Sequence, residues 1–95
     1  MATTIKLNGR KMLTRDLLHA YLAKRLHLPS YYGKNLDALH DCLGEICTPT
    51  CLYVTHALDL QKSLGEYGTT FLKVLQDSSN ENSHLTVRII MHSLK

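Results

Sequence analysis

The stretch NLDALHDCLGEI, residues 35–46, decides how the rest of the chain is interpreted. At about 100° per residue, one side of a helix here collects the apolar residues Leu36, Leu39, Leu43 and Ile46. The opposite side collects the acidic residues Asp37, Asp41 and Glu45. The pattern predicts a helix that packs against a core with one face and offers carboxylates to something outside with the other.

Two further elements are predicted before this helix. Residues Thr3 to Leu7 are β-branched and partly alternating, which favours a strand, and the pair Asn8-Gly9 ends it with a turn signal. Thr14 is a good N-cap for a helix over residues 14–26. Asn35 is expected to cap the acidic helix, after a loop that contains a proline and a glycine.

Four elements are predicted after it. The mostly apolar run at residues 51–55 indicates a buried strand, and a short helix closed by Gly65 follows. A fourth helix begins after Gly68, and the polar run SSNENS at residues 78–83 indicates a loop. The last strand is predicted at residues 85–91.

The order strand, helix, helix, strand, helix, helix, strand predicts an α/β fold. Helical crossovers are long enough to make neighbouring strands parallel, so we expect a small three-stranded parallel sheet packed with about four helices. A chain of 95 residues with 44% hydrophobic residues suits one modest core, and we expect a single domain over residues 1–95. No apolar run approaches the roughly 18 residues of a membrane span, and no signal peptide is evident. We therefore expect a soluble, cytoplasmic protein that does not bind membranes.

The formal charge of +3 is unevenly distributed along the chain. Residues 1–34 hold seven Lys or Arg and one Asp, a net charge of +6. Residues 35–81 hold two Lys and seven Asp or Glu, a net charge of −5. Because the acidic helix lies in the second part, the distribution argues against direct binding of nucleic acid.

Metal, disulfide and catalytic chemistry find little support in the sequence. Cys42, Cys47 and Cys51 cannot all pair within the chain, and their spacing lacks a C-x2-C zinc motif. Asp37 and Asp41 lie one helical turn apart, but nothing near them suggests a pocket that separates their pKa values. We also find no Ser/His/Asp arrangement, P-loop or dinucleotide-binding glycines. We therefore expect free thiols, no metal, no cofactor and no enzyme activity.

The segment LPSYYGKNLDALHDCL, residues 28–43, closely resembles the signature of the barstar family, the intracellular inhibitors of secreted microbial ribonucleases. Its proline, two tyrosines, glycine, asparagine and two aspartates fall at the family's spacing, and a weaker similarity extends from the first strand to LTVRII. The family fold, a small parallel sheet with packed helices, agrees with the predicted order. The resemblance implies a monomer that binds a barnase-like ribonuclease one to one and confers immunity to that toxin.

The resemblance also implies roles for individual residues, all on the acidic helix or the loop before it. Asp41 matches the aspartate that occupies the substrate phosphate position, and Asp37 matches the neighbouring acidic contact. Tyr31 matches the tyrosine that packs against the catalytic histidine of the enzyme. Gly33 and Asn35 match loop positions that touch the substrate-binding side.

Other positions are matched less directly. Asp77 corresponds to a glutamate on the fourth helix if a one-residue gap is allowed after Gly68. The predicted partner-binding site also includes three residues within the acidic helix: His40, Gly44 and Glu45. His40 and Ile46 stand where a well-studied member has tryptophans, and Lys34 stands where it has an acid. These departures bear on the identity of the partner.

One alternative function remains open at the level of sequence. A barstar-fold module could bind RNA or another basic protein, through the basic residues 1–34 or the altered rim of the acidic helix.

Of the two adjacent tyrosines, we expect Tyr32 to be structural.

Overall fold

The computed structural model describes residues 3–91. Its elements, in chain order, are three strands, a short 3₁₀ helix and four α-helices: β1 Thr3–Asn8, the 3₁₀ helix Gly9–Lys11, α1 Arg15–Arg25, α2 Leu36–Gly44, β2 Thr50–Thr55, α3 Ala57–Leu64, α4 Glu66–Glu81 and β3 Leu85–Ile89. The predicted α/β class and the order of strands and helices are confirmed. None of these helices is long and apolar enough to cross a membrane.

The three strands form one parallel sheet in the order β1-β2-β3. Both crossovers therefore step in the same direction across the sheet. If each takes the usual right-handed path, all four α-helices fall on the same face. The burial pattern agrees, because Leu7, Leu52, Val54 and Leu85 belong to the buried core, whereas Lys6 and Arg88 on the opposite face are exposed.

The core lies between the sheet and the helices. Each helix contributes buried apolar side chains, among them Leu18 and Leu22 from α1, Leu39 and Leu43 from α2, Leu60 from α3, and Phe71 and Leu75 from α4. Burying such a side chain stabilises the fold by about 1.5–3 kcal/mol each before entropy is counted. This core holds α2 against α4 and leaves the acidic side of α2 outside.

Helix α4 is longer at both ends than the sequence predicts. The predicted start after Gly68 is wrong, because the helix begins at Glu66 and Gly68 lies within it, buried against α3. The predicted loop at residues 78–83 is also wrong, because the helix continues to Glu81. Ser78 is only 2% exposed, so packing overrides the weak helix propensity of this polar run.

Other boundaries differ by smaller amounts. The acidic helix ends at Gly44 and not at Ile46, although Ile46 still packs against the core. Strand β3 ends at Ile89 and not at Met91. The predicted turn after Leu7 is a further residue of strand followed by the 3₁₀ helix. The predicted closure of α3 is confirmed, since Gly65 takes a φ of 60°, a conformation that glycine adopts without steric cost.

Candidate partner-binding site

The N-terminus of α2 is fixed by Asn35. The Asn35 side-chain oxygen accepts a hydrogen bond from the backbone N–H of Ala38 at 2.7 Å, and its amide group donates to the carbonyl of Gly33 at 3.2 Å. A cap of this kind satisfies one of the free N–H groups at a helix start. Asn35 therefore has a structural role that ties the preceding loop to the helix.

Three carboxylates line the outer side of α2. Asp37, Asp41 and Glu45 are all exposed, as the helical periodicity predicts. Among residues 3–91, no hydrogen bond or ion pair engages their side chains. Side chains four positions apart are neighbours on a helix, so these carboxylates form a row that an external cation can approach.

The loop before α2 directs its two tyrosines in opposite directions. Tyr31 is 84% exposed, whereas Tyr32 is 7% exposed and belongs to the core. The expectation that Tyr32 is the structural one of the pair is confirmed. Gly33 allows the loop to approach α2, because a Cβ at this position would lie 3.2 Å from Ala38 Cβ and 3.3 Å from Asn35 Nδ2. A side chain at this position therefore requires Ala38 or Asn35 to shift by a few tenths of an ångström.

The loop and the helix enclose a shallow cavity of about 210 Å³. Four residues of the predicted site line it, namely Tyr31, Gly33, Asp41 and Glu45. Small-molecule sites usually span about 300–1,000 Å³, so this cavity suits a single protein side chain better than a free ligand. Its two carboxylates and one exposed aromatic ring favour a cationic or imidazole side chain.

A buried hydrogen-bonded chain holds the loop from behind. The Nδ1 atom of His19 lies 2.6 Å from Tyr32 Oη, and its Nε2 atom lies 2.6 Å from Tyr67 Oη. A neutral imidazole has one donor and one acceptor nitrogen, so it can satisfy both hydroxyls at once. Burial, opposed by the charge of Asp16, lowers the pKa of His19 and thereby favours this neutral form.

Tyr32 and Tyr67, the two hydroxyl groups that flank His19, are themselves kept protonated. Burial raises the pKa of Tyr32 far above its ordinary value, with smaller contributions from Cys42 and Tyr67. Burial also raises the pKa of Tyr67, against the opposing effect of Arg15, whose guanidinium lies 4.2 Å from the Tyr67 ring centroid. His19 and Tyr67 were not among the residues predicted from the sequence. The one sequence feature that could have indicated His19 is its place beside the apolar Leu18 in α1. Without the fold, this feature does not show whether the histidine is buried.

The side of α2 that faces away from the tyrosine loop packs against α4. His40 is half-buried, and its Nε2 atom lies 2.9 Å from Glu81 Oε1. His40 was predicted to belong to the site, whereas Glu81 was not. Asn82 donates to the carbonyls of Leu43 at 3.0 Å and Ile46 at 2.9 Å. These contacts fix the C-terminal end of α2 on α4.

Five predicted site residues do not line the cavity, namely Asn35, Asp37, His40, Gly44 and Asp77, and the last two lie at the margin of the site. Asp77 is on α4 and pairs with Lys73 of the same helix at 3.2 Å, so its carboxylate is already engaged. Gly44 is the exposed last residue of α2, with nothing within 4 Å of a Cβ placed there. The structure therefore brings together Tyr31, Gly33, Asp41 and Glu45, and it places Asp77 and Gly44 at the margin.

The cysteines do not provide a reactive thiolate at this site. Cys42, Cys47 and Cys51 are all free thiols. Burial raises the pKa of Cys42, and the nearby carboxylates of Glu45 and Asp41 add to this effect, so Cys42 is a poor nucleophile. Within residues 3–91, no three His, Cys, Asp or Glu side chains cluster as metal ligands.

Two comparisons with known proteins place the chain in a family. The family model described as "Barstar (barnase inhibitor)" matches residues 2–92. A protein of Bacillus subtilis (strain 168) that carries the name "Putative ribonuclease inhibitor YrdF" is 37% identical over 78 residues. That similarity covers 81% of this chain and 86% of the relative. The chain therefore belongs to the barstar family.

Proposed function

We propose that this protein inhibits a microbial ribonuclease and blocks its active site with α2 and the loop before it. Family membership and the name of the Bacillus subtilis relative support ribonuclease inhibition in general. The observation that carries the finer proposal is the cavity beside Tyr31, which is lined by the carboxylates of Asp41 and Glu45, neither of which is paired with another side chain of residues 3–91. In this proposal residues 1–95 act as one domain in the cytoplasm, without catalytic activity of their own.

The chemistry follows from what a ribonuclease must bind. Its cleft holds the RNA phosphate and therefore concentrates Arg, Lys and His side chains. A carboxylate on a rigid helix can accept their hydrogen bonds, two at a time from a guanidinium. We infer that Asp41 takes the place of a substrate phosphate, with Asp37 and Glu45 on either side of it. Such a mimic offers no bond that the nuclease can cleave.

Tyr31 supplies the apolar part of the proposed contact. An exposed aromatic ring that becomes buried in a complex is a frequent energetic hot spot, worth about 2 kcal/mol or more on truncation. An inhibitor of the barstar family is itself among the documented cases behind that general magnitude. Because Tyr32 and Asn35 already anchor the loop, Tyr31 loses little backbone freedom on binding, which favours affinity.

His40 and Asp77 are proposed to extend the interface at its edges. His40 already contacts Glu81, so a partner meets a polar His-Glu pair at the α2–α4 rim. Asp77 must exchange or share its pairing with Lys73 to contact a partner, and exposed pairs of this kind contribute little to stability. We therefore assign these residues to selection of the partner and the main affinity to Tyr31 and Asp41.

Isothermal titration calorimetry against a barnase-like ribonuclease tests the proposal. The nuclease is first identified by a pull-down on the immobilised protein, read by mass spectrometry. Asp41→Ala and Tyr31→Ala are each expected to weaken the one-to-one complex at least about 30-fold, which corresponds to about 2 kcal/mol. Glu66→Ala removes an exposed acid at the start of α4 and serves as the charge-matched control. Unchanged affinity for both test variants would contradict the assignment of the site.

A further inference from the structure

In the part of the chain that the structure describes, one face of the sheet carries no helix, and this face has a distinct composition. Within residues 3–91, six side chains at successive register positions define what we call the open face: Thr4, Lys6, Cys51, Tyr53, Thr86 and Arg88. Thr4, Lys6, Thr86 and Arg88 are exposed, and the two residues of the central strand between them are half-buried. Parallel sheets are normally covered on both faces, so an open one of this composition calls for an explanation.

The central row of the open face places one aromatic ring between two cations. Lys6 and Arg88 are the register partners of Tyr53 on its two neighbouring strands. Adjacent strands lie about 4.8 Å apart, so the row is about 10 Å wide. No carboxylate lies among the six residues, and within the described chain no hydrogen bond or ion pair engages the side chains of these three.

A third cation is fixed at the edge of the same row. The guanidinium of Arg25 donates from Nε and Nη2 to the backbone carbonyl of Lys6, at 3.2 and 2.9 Å. This contact holds the C-terminal end of α1 against the free edge of β1. Two of the cations of residues 1–34, Lys6 and Arg25, thus meet at the β1 edge of the open face.

We propose that the open face binds single-stranded nucleic acid, with a base stacked on Tyr53 and backbone phosphates paired with Lys6 and Arg88. Stacking on an aromatic ring within a basic surface is how many proteins bind single strands without sequence preference. The row from Lys6 to Arg88 is about 10 Å wide, which accommodates one base flanked by its phosphates. The inference departs from the expectation from sequence that the protein makes no direct contact with nucleic acid.

The size of the open face favours a single strand over a folded acidic protein. Six residues of strand span about 20 Å, so the whole uncovered side of the sheet, of which the open face is the centre, measures on the order of 200 Å². A stable protein–protein interface buries about 800 Å² on each partner. Two or three nucleotides fit the smaller area, whereas a protein partner requires contacts well beyond it.

The open face is separate from the proposed inhibitory site. Helix α2 packs through Leu39 and Leu43 into the core on the covered side of the sheet. A nuclease bound at Asp41 contacts the outer side of α2, whereas Tyr53 lies on the opposite side of the sheet. We therefore expect the two proposed sites to bind their partners independently.

Fluorescence anisotropy with a fluorescein-labelled U10 oligonucleotide at about 50 mM salt tests the inference. Tyr53→Leu is expected to weaken binding about fivefold or more, since stacking is worth about 1–3 kcal/mol per base, and Tyr53→Phe is expected to retain it. The double variant Lys6→Gln/Arg88→Gln is expected to reduce the slope of log affinity against log salt by about 1.4, or about 0.7 per phosphate contact. Lys24→Gln/Lys62→Gln makes the same change in net charge on exposed helical positions and should leave binding near the wild-type level.

The controls make each outcome decisive. Binding of U10 alone, or of U10 and dT10 alike, supports the proposal, and the comparison shows whether the 2′-hydroxyl is read. Equal displacement of U10 by a polyglutamate peptide of the same charge, or equal loss of binding in both double variants, overturns it in favour of a general attraction for anions. Circular dichroism with urea denaturation confirms that each variant is folded. Unchanged inhibition of the ribonuclease by the open-face variants separates this test from that of the proposed function.

Discussion

Acidification from pH 7 to pH 5 is expected to destabilise the protein through His19. This ring is only 3% exposed and lies between the hydroxyls of Tyr32 and Tyr67, at 2.6 Å from each. A second proton on the ring removes the acceptor nitrogen that one of the hydroxyls uses. Burial lowers the pKa of His19 below its ordinary value of 6.5, and Asp16 opposes this only in part.

The direction of the effect follows from proton linkage. Between the lowered pKa of the folded state and about 6.5 in the unfolded chain, the unfolded state binds one more proton. The contribution of His19 to the free energy of unfolding is therefore fully present above about pH 6.5, and it is lost as the pH drops toward the folded-state pKa. One proton gives a slope of at most about 1.4 kcal/mol per pH unit.

Urea denaturation followed by circular dichroism, at intervals from pH 7.5 to pH 5, measures this slope. The chain has six histidines, so the informative quantity is the difference between the wild type and His19→Gln. His84→Gln, at an exposed position, is the matched control and should follow the wild type. If the wild type and His19→Gln lose stability in parallel over this range, the reasoning from burial of the ring is refuted.

The remaining predictions concern the support of the site and the approach of the nuclease. Asn82→Ala is expected to lower the free energy of unfolding by about 1–3 kcal/mol in urea titrations, because two carbonyls at the end of α2 lose their donor; exposed Asn80→Ala is the control, and equal loss in both variants would contradict this role. Gly33→Ala is expected to weaken nuclease binding in calorimetry more than it lowers stability, because its Cβ would lie 3.2 Å from Ala38 Cβ and shift the loop or α2 slightly at the binding surface; unaltered affinity would show that the loop position is not critical. Association with the nuclease in stopped-flow measurements is expected to slow as salt is added, despite the net charge of +3, because the acids of α2 steer the encounter; a rate independent of salt would argue against such steering.

Elements with strong periodicity were predictable from the sequence. The acidic helix, its Asn35 cap and the three parallel strands follow from apolar spacing and capping residues, which act locally along the chain. The end of α4 was not predictable in this way. Residues 78–81 have weak helix propensity, and they remain helical because Ser78 is buried and Asn82 hydrogen-bonds to the end of α2.

The candidate site was predictable in part. Helical spacing placed Asp37, Asp41 and Glu45 on one exposed side, and the family resemblance singled out Tyr31. The contact between His40 and Glu81 could not be inferred, because these residues are 41 positions apart and meet only when α2 packs on α4. Their roles in binding a partner stay predictions until a complex is measured.

The sequence by itself determined the order of strands and helices, the two-sided character of α2 and the resemblance to the barstar family. These depend on spacing within single elements, where the side-chain direction follows from the backbone period. Only the tertiary structure decided which distant groups meet. It placed His19 between Tyr32 and Tyr67 and set Tyr53 between Lys6 and Arg88 on the open face. Strand register and helix packing depend on the whole core at once, so no local pattern could specify these neighbours.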